Sequence, residues 1–165
     1  MAKFSKNTIS QVSGFDNPVI AGELVYNQQT YWNLTLTAAD SAGVQQPVDL
    51  TGVTINAQIL RRTVTNLIDT RNGLVFDIGD FSPTPTAVSL TVSNIVTAAG
   101  SFTVTINDST WGLLTTDAEL GIGVTNPVCF SGRIKISFPA NSPTPADDSI
   151  IFLMFLVRSD GIIKI

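Results

Sequence analysis

Apolar and polar side chains alternate one for one along much of this chain, and few folds can use that pattern. Trp32, Leu34 and Leu36 fall on one side of their segment, with Asn33, Thr35 and Thr37 on the other. Val53, Ile55, Ala57 and Ile59 oppose Thr54, Asn56 and Gln58 in the same way. Further apolar sets are Val88, Leu90 and Val92; Phe102, Val104 and Ile106; and Val128, Phe130, Ile134, Ile136 and Phe138. A period of two matches the side-chain geometry of a strand with one face on a core and one in water. Composition agrees, because 51 of the 165 residues are Thr, Val or Ile. Such β-branched side chains suit a pleated surface and lose freedom in a helix.

Turn chemistry separates these segments. Asp40–Gly43, Asp49–Gly52, Arg71–Gly73 and Ser159–Gly161 each offer Gly or Asn for a left-handed position. Asn72-Gly73 is the strongest hairpin signal among them. Ser82-Pro-Thr-Pro85 and Ser142-Pro-Thr-Pro145 read as extended surface loops, since proline cannot donate to a ladder. Only Asp108–Leu120 has helical character, of one or two turns, with Asp108 or Ser109 as its cap. The expectation is an all-β sandwich of seven to nine antiparallel strands with at most one short helix; a closed barrel is the alternative. Residues 1–18 read as an N-terminal arm and 19–165 as one β-sandwich domain.

Ile150–Val157 departs from the alternation, being apolar on both faces. A strand of this kind is covered on both sides, either by its own chain or by another. Phe152, Met154 and Phe155 are therefore candidate subunit-interface residues. Phe15 and Val19 join them, because Val12, Phe15, Val19 and Ile20 make the arm too apolar to stand free in water.

Several chemistries are excluded. The chain has no His, which removes every imidazole base, shuttle and metal ligand. Its one cysteine, Cys129, allows neither an intrachain disulfide nor a thiolate metal site. Asp77 with Asp80, and Asp147 with Asp148, lack calcium-loop spacing and read as turn and cap carboxylates. The only glutamates, Glu23 and Glu119, do not form a glycosidase pair. Phosphate-binding glycine loops and the nucleophile elbow are missing from the sequence. No catalytic, cofactor-binding or metal residue is expected, and the chain reads as a non-enzyme. Nine basic against thirteen acidic residues, net charge -4, speak against a nucleic-acid surface. The opening MAKFSKNTIS lacks the apolar stretch of a signal peptide. The eight-residue apolar run is shorter than the roughly 20 needed to cross a bilayer as a helix. The expected product is soluble, made in a cytoplasm and without a membrane partner. Tyr31 and Trp111 remain as aromatics on which a glycan ring could stack.

The stretch Pro47-Val-Asp-Leu-Thr-Gly-Val-Thr-Ile-Asn-Ala-Gln-Ile-Leu-Arg61 resembles the turn and following strand of immunoglobulin-like phage virion proteins. It is most similar to the N-terminal domain of tailed-phage upper baseplate proteins. In that pattern a Leu/Thr strand (Trp32–Thr37) leads to a polar hairpin (Asp40–Gly43), an Asp-Leu-Thr-Gly turn (Asp49–Gly52) and a strand ending in a basic residue. Leu50 would plug the end of the sandwich. The resemblance covers about residues 19–106 and brings no catalytic residues. It implies an immunoglobulin-like β-sandwich and a virion structural protein assembled in the host cytoplasm. The implied role is a tail or baseplate component or adaptor that docks fibres or receptor-binding proteins, as a homo-oligomer among other virion proteins. The alternatives are a capsid-surface decoration protein and a carbohydrate- or receptor-binding module.

Overall fold

A sheet with one apolar face must hide that face, and here it does so by folding over on itself. A computed structural model of the chain describes residues 9–12, 17–60, 68–70, 73–75, 87–114, 128–140 and 146–158. The strands are β1 (Ile9–Val12), β2 (Val19–Val25), β3 (Thr30–Thr35), β4 (Thr37–Ala39), β5 (Gln45–Pro47) and β6 (Thr54–Leu60). They continue with β7 (Ile68–Thr70), β8 (Gly73–Val75), β9 (Ala87–Val96), β10 (Ser101–Ile106), β11 (Val128–Phe138) and β12 (Asp147–Arg158). Among the described residues the α-helix is α1 (Asp108–Leu114), two turns long, so the all-β expectation holds. Eight strands form the main sheet in the order β1-β2-β12-β11-β6-β9-β10-β3, while β4–β5 and β7–β8 are separate hairpins.

The alternating segments deliver their apolar sides as the sequence requires. Trp32, Ala57, Ile59, Val88, Leu90, Phe102, Val104, Ile106, Ile134 and Ile136 are all buried in one core. Arg133 and Lys135 stay exposed on the far side of β11. One long strand makes the fold-over possible. The first residues of β9 pair with β6, Ala57 opposite Leu90. Its later residues pair with β10, Thr91 opposite Thr105 and Val96 opposite Ser101. The register slips between those two pairs, where Asn94 takes a positive φ of 50°. An extra residue in a left-handed conformation bends the strand and sharpens its twist. The sheet thereby becomes a nearly closed, barrel-like layer. Trp32 of β3 lies flat against Phe155 of β12 across the core, with ring centroids 4.7 Å apart and an interplanar angle of 5°.

One pairing departs from expectation. β2 runs parallel to β12, Val19 opposite Phe152 through Val25 opposite Arg158. The Phe152 N–H also donates to the Pro18 carbonyl at 2.9 Å. Local turns generate antiparallel neighbours. Strands from opposite ends of the chain are under no such rule. Within the expected arm, β1 lies antiparallel to β2 of its own chain, Val12 opposite Val19.

The turns follow their side chains. Asp40 Oδ1 accepts from the N–H groups of Ala42 and Val44, both at 2.9 Å, and closes the β4–β5 hairpin. Asp49 Oδ1 accepts from the Thr51 N–H at 2.9 Å and from its hydroxyl at 2.7 Å. Leu50 is then driven into the core, 2% exposed. β7 and β8 pair as a hairpin with Thr70 opposite Gly73; Arg71 and Asn72 lie outside the described residues, as do both Ser-Pro-Thr-Pro stretches and Ser159–Gly161.

Gly100 is a tight joint in a left-handed conformation. Its φ is +63°, and a Cβ there would sit 2.7 Å from the Leu36 carbonyl oxygen and 2.8 Å from that of Val48. Both neighbours are backbone: the Leu36 N–H donates to Gly100 and the Val48 N–H to Leu36. Gly43 has a φ of +79° with open space around it. Gly100→Ala should therefore cost about 2–4 kcal/mol, and Gly43→Ala only about 1–2 kcal/mol. Urea denaturation of the two variants measures the difference.

Candidate functional site

Three places in this framework could carry function: the carboxylates, the outward side of β12, and the outward side of β3, β10 and β9. The carboxylates act in turns and pairs. Among the described residues no three His, Cys, Asp or Glu side chains gather to hold a metal ion. Asp40 is held below the ordinary carboxylate value of 3.8, first by the Val44 N–H and then by Gln46 and the Ala42 N–H. Asp49 is lowered by the Thr51 hydroxyl and N–H. Asp148 is lowered first by its hydrogen bond to Lys135, whose Nζ lies 2.8 Å from Asp148 Oδ2. Asp77, Asp80, Glu119 and Gly121–Gly123 lie outside the described residues. Of Cys129 the structure describes the backbone, opposite Leu156 in the β11–β12 ladder.

The expected interface set divides in two. Phe155 is fully buried and stacked on Trp32, so it belongs to the domain's own core and not to an outer surface. The alternation explains this: Ile151, Leu153, Phe155 and Val157 all point inward. Phe152 and Met154 occupy the opposite face, beside Val19 and Ala21 of β2 in the parallel register. Val19 (0% exposed) and Met154 (6%) are covered within the chain, yet neither is part of the core cluster. Phe152 is half-buried and offers the open apolar area of this face. Phe15 lies outside the described residues.

The two candidate glycan aromatics also separate. Trp111 is 0% exposed and cannot meet a ligand. Its Nε1–H donates to the Gln28 carbonyl at 2.7 Å, and its ring meets Tyr26 edge-on at 5.6 Å. α1 thus caps one end of the folded sheet and fastens the corner between β2 and β3. The helix cap is Asn107, ahead of the expected Asp108 or Ser109: its Oδ1 accepts the Thr110 N–H at 3.0 Å. Tyr31, in contrast, is 52% exposed on the outward side of β3.

Around Tyr31 the structure assembles residues that the sequence did not single out. Tyr31 stands opposite Thr105, and Asn33 opposite Thr103. Thr105 in turn faces Thr91, and Thr103 faces Ser93, on β9. The Thr103 hydroxyl donates to Asn33 Oδ1 at 2.8 Å, and Asn94 Nδ2 donates to the same hydroxyl at 3.4 Å. Asn107 Nδ2 reaches Thr91 Oγ1 at 3.3 Å. The legible signal was the slip of alternation after Val92, where Asn94 occupies the next inward position and Ile95-Val96 follow.

No known family model matches the chain, and no curated protein is significantly similar to it.

Trp111→Phe keeps an aromatic ring but removes the 2.7 Å indole donor from the Gln28 carbonyl, leaving it the longer Thr30 hydroxyl at 3.4 Å, and should lower stability by about 0.5–1.5 kcal/mol, read by urea denaturation. The three lowered carboxylates stabilise the fold above their unfolded value of 3.8, and that stabilisation is lost as pH falls through their lower folded values. The melting temperature should therefore drop on acidification. The deficit of Asp49→Asn relative to the parent should be largest above pH 3.8 and shrink below it.

Proposed function

We propose that the chain is a non-catalytic structural domain of a multi-subunit assembly of the tailed-phage virion type. In this reading it is a tail or baseplate component, or an adaptor that docks fibres or receptor-binding proteins. The observation that supports this is the order of the strands. In an immunoglobulin-like sandwich the third, sixth and seventh strands share one sheet, and the second, fifth and fourth lie side by side in the other. Here β6, β11 and β12 are neighbours in that order, and so are β3, β10 and β9. Taken along the chain, β3, β6, β9, β10, β11 and β12 would be strands two to seven, with β2 as the first strand laid against the last. β9 pairs with both β6 and β10, which joins the two sheets along one side and accounts for the barrel-like closure. The aromatic stack of Trp32 on Phe155 ties the second strand to the seventh, one strand over from the second-to-sixth disulfide of antibody domains. The Asp49–Gly52 turn, which carries the family resemblance, seats Leu50 in the core as that resemblance implies.

In such an assembly the outward side of β12 is the contact surface, with Phe152 at its open part. Closed symmetric oligomers are the usual outcome for repeated copies of one chain. Light scattering on the purified chain should give a discrete oligomer. Phe152→Asp should shift it toward monomer with an unchanged far-UV circular dichroism spectrum. A wild-type chain that stays monomeric at every concentration removes self-assembly. Antibodies raised against the chain should decorate phage particles, and labelling confined to free protein overturns the virion reading.

A further inference from the structure

We infer that the outward face of β3, β10 and β9 is a binding surface for a neutral glycan. The inference stands apart from the assembly reading and uses a different side of the molecule. Nine positions make up the face in three rows: Tyr31, Thr105 and Thr91; Asn33, Thr103 and Ser93; Thr35, Ser101 and Val96. Eight of the nine carry a hydroxyl or an amide, and Asn94 adds a second amide from the bulge. Not one residue of β3, β9 or β10 is charged. Strands β11 and β12 differ, carrying Arg133, Lys135, Asp147 and Asp148.

That contrast selects the ligand. A face without charge lacks the cation that a phosphate, a sulfate or a carboxylate pairs with most strongly. It matches a molecule that is itself uncharged and rich in hydroxyls, because each hydroxyl taken from water must find a replacement partner. The exposed Tyr31 ring supplies what such a molecule also needs, a flat apolar surface with a polar edge for the C–H face of a sugar. Size points the same way. Three rows and three strands span about 14 by 10 Å, well below the roughly 800 Å² per partner of a standard protein interface, but enough for a short oligosaccharide.

The face is also held in place before any ligand arrives. Thr103 is 8% exposed and is fixed between Asn94 and Asn33. Its bond to Asn33 uses the carbonyl oxygen of that amide, so the Asn33 nitrogen keeps its two donors for a ligand. Asn107 fixes Thr91 from the helix side. Fixed partners lose little freedom on binding.

Both tryptophans are buried, so the test reads amide shifts of the full-length 15N-labelled chain by NMR. The probes are the neutral oligosaccharides cellohexaose, maltohexaose and mannohexaose, with a heparin hexasaccharide as the anionic comparison. At least one neutral probe should move the amides of residues 31–35, 91–94 and 101–105, and heparin should not. Tyr31→Ala should weaken that binding by about tenfold or more, Tyr31→Phe should largely retain it, and Lys135→Ala on β11 should leave it unchanged. No shift with any neutral probe overturns the inference. So does equal binding by Tyr31→Ala with native dispersion, or a preference for heparin.

Discussion

The stack of Trp32 on Phe155 is the contact on which the rest of this structure depends. A single eight-stranded sheet can shield its apolar side only if its two ends come together. These rings are where the end strand β3 meets the opposite wall at β12. The geometry of an aromatic pair contributes about 0.5–1.5 kcal/mol beyond the area buried, but its larger effect is positional. With the two walls held at ring-stacking distance, the branched side chains of β6, β9, β10 and β11 fill the space between them. α1 closes one end of that space through Trp111, and Leu50 fills another part of the same core.

Closure leaves the two outer surfaces free to differ, and they do. Across β11 and β12 the outside is charged in one part and greasy in another, with Lys135 bonded to Asp148 and Phe152 half-open beside Val19. Across β3, β10 and β9 it is hydroxylic and neutral. The proposed assembly contact and the proposed glycan surface fall on these opposite sides, so one copy could meet its neighbours and a sugar without competition between them.

Much of this was readable from residues alone, for a physical reason. Alternation is a property of the strand backbone, so Val53–Ile59 and Phe102–Ile106 announced their faces without knowledge of their partners. Asp49 and Gly52 announced a turn because a short carboxylate can bond its own backbone and a glycine can take a positive φ. What was hidden depends on distant neighbours. The sequence Val-Ile-Ala-Gly-Glu-Leu-Val of β2 has no clean alternation, and nothing local tells it to run parallel to β12. Asn107-Asp-Ser offers three consecutive capping residues. Asn107 takes the role in a helix whose Trp111 side chain reaches the Gln28 carbonyl. Phe155 looked like part of a sticky surface because its whole neighbourhood is apolar, and only its phase in the strand assigns it to the core. The array around Tyr31 was invisible because three separate strands had to be brought side by side.

The parallel seam between β2 and β12 has a consequence for synthesis. One edge of β2 waits for the much later residues of β12, and Trp32 waits for Phe155. During translation the growing polypeptide must carry its half-built greasy layer unsealed until those late residues emerge. Contacts between such distant partners also slow folding generally. Closure of this domain thus waits for β12, and the interval before it is when a chaperone or an unwanted partner can intervene.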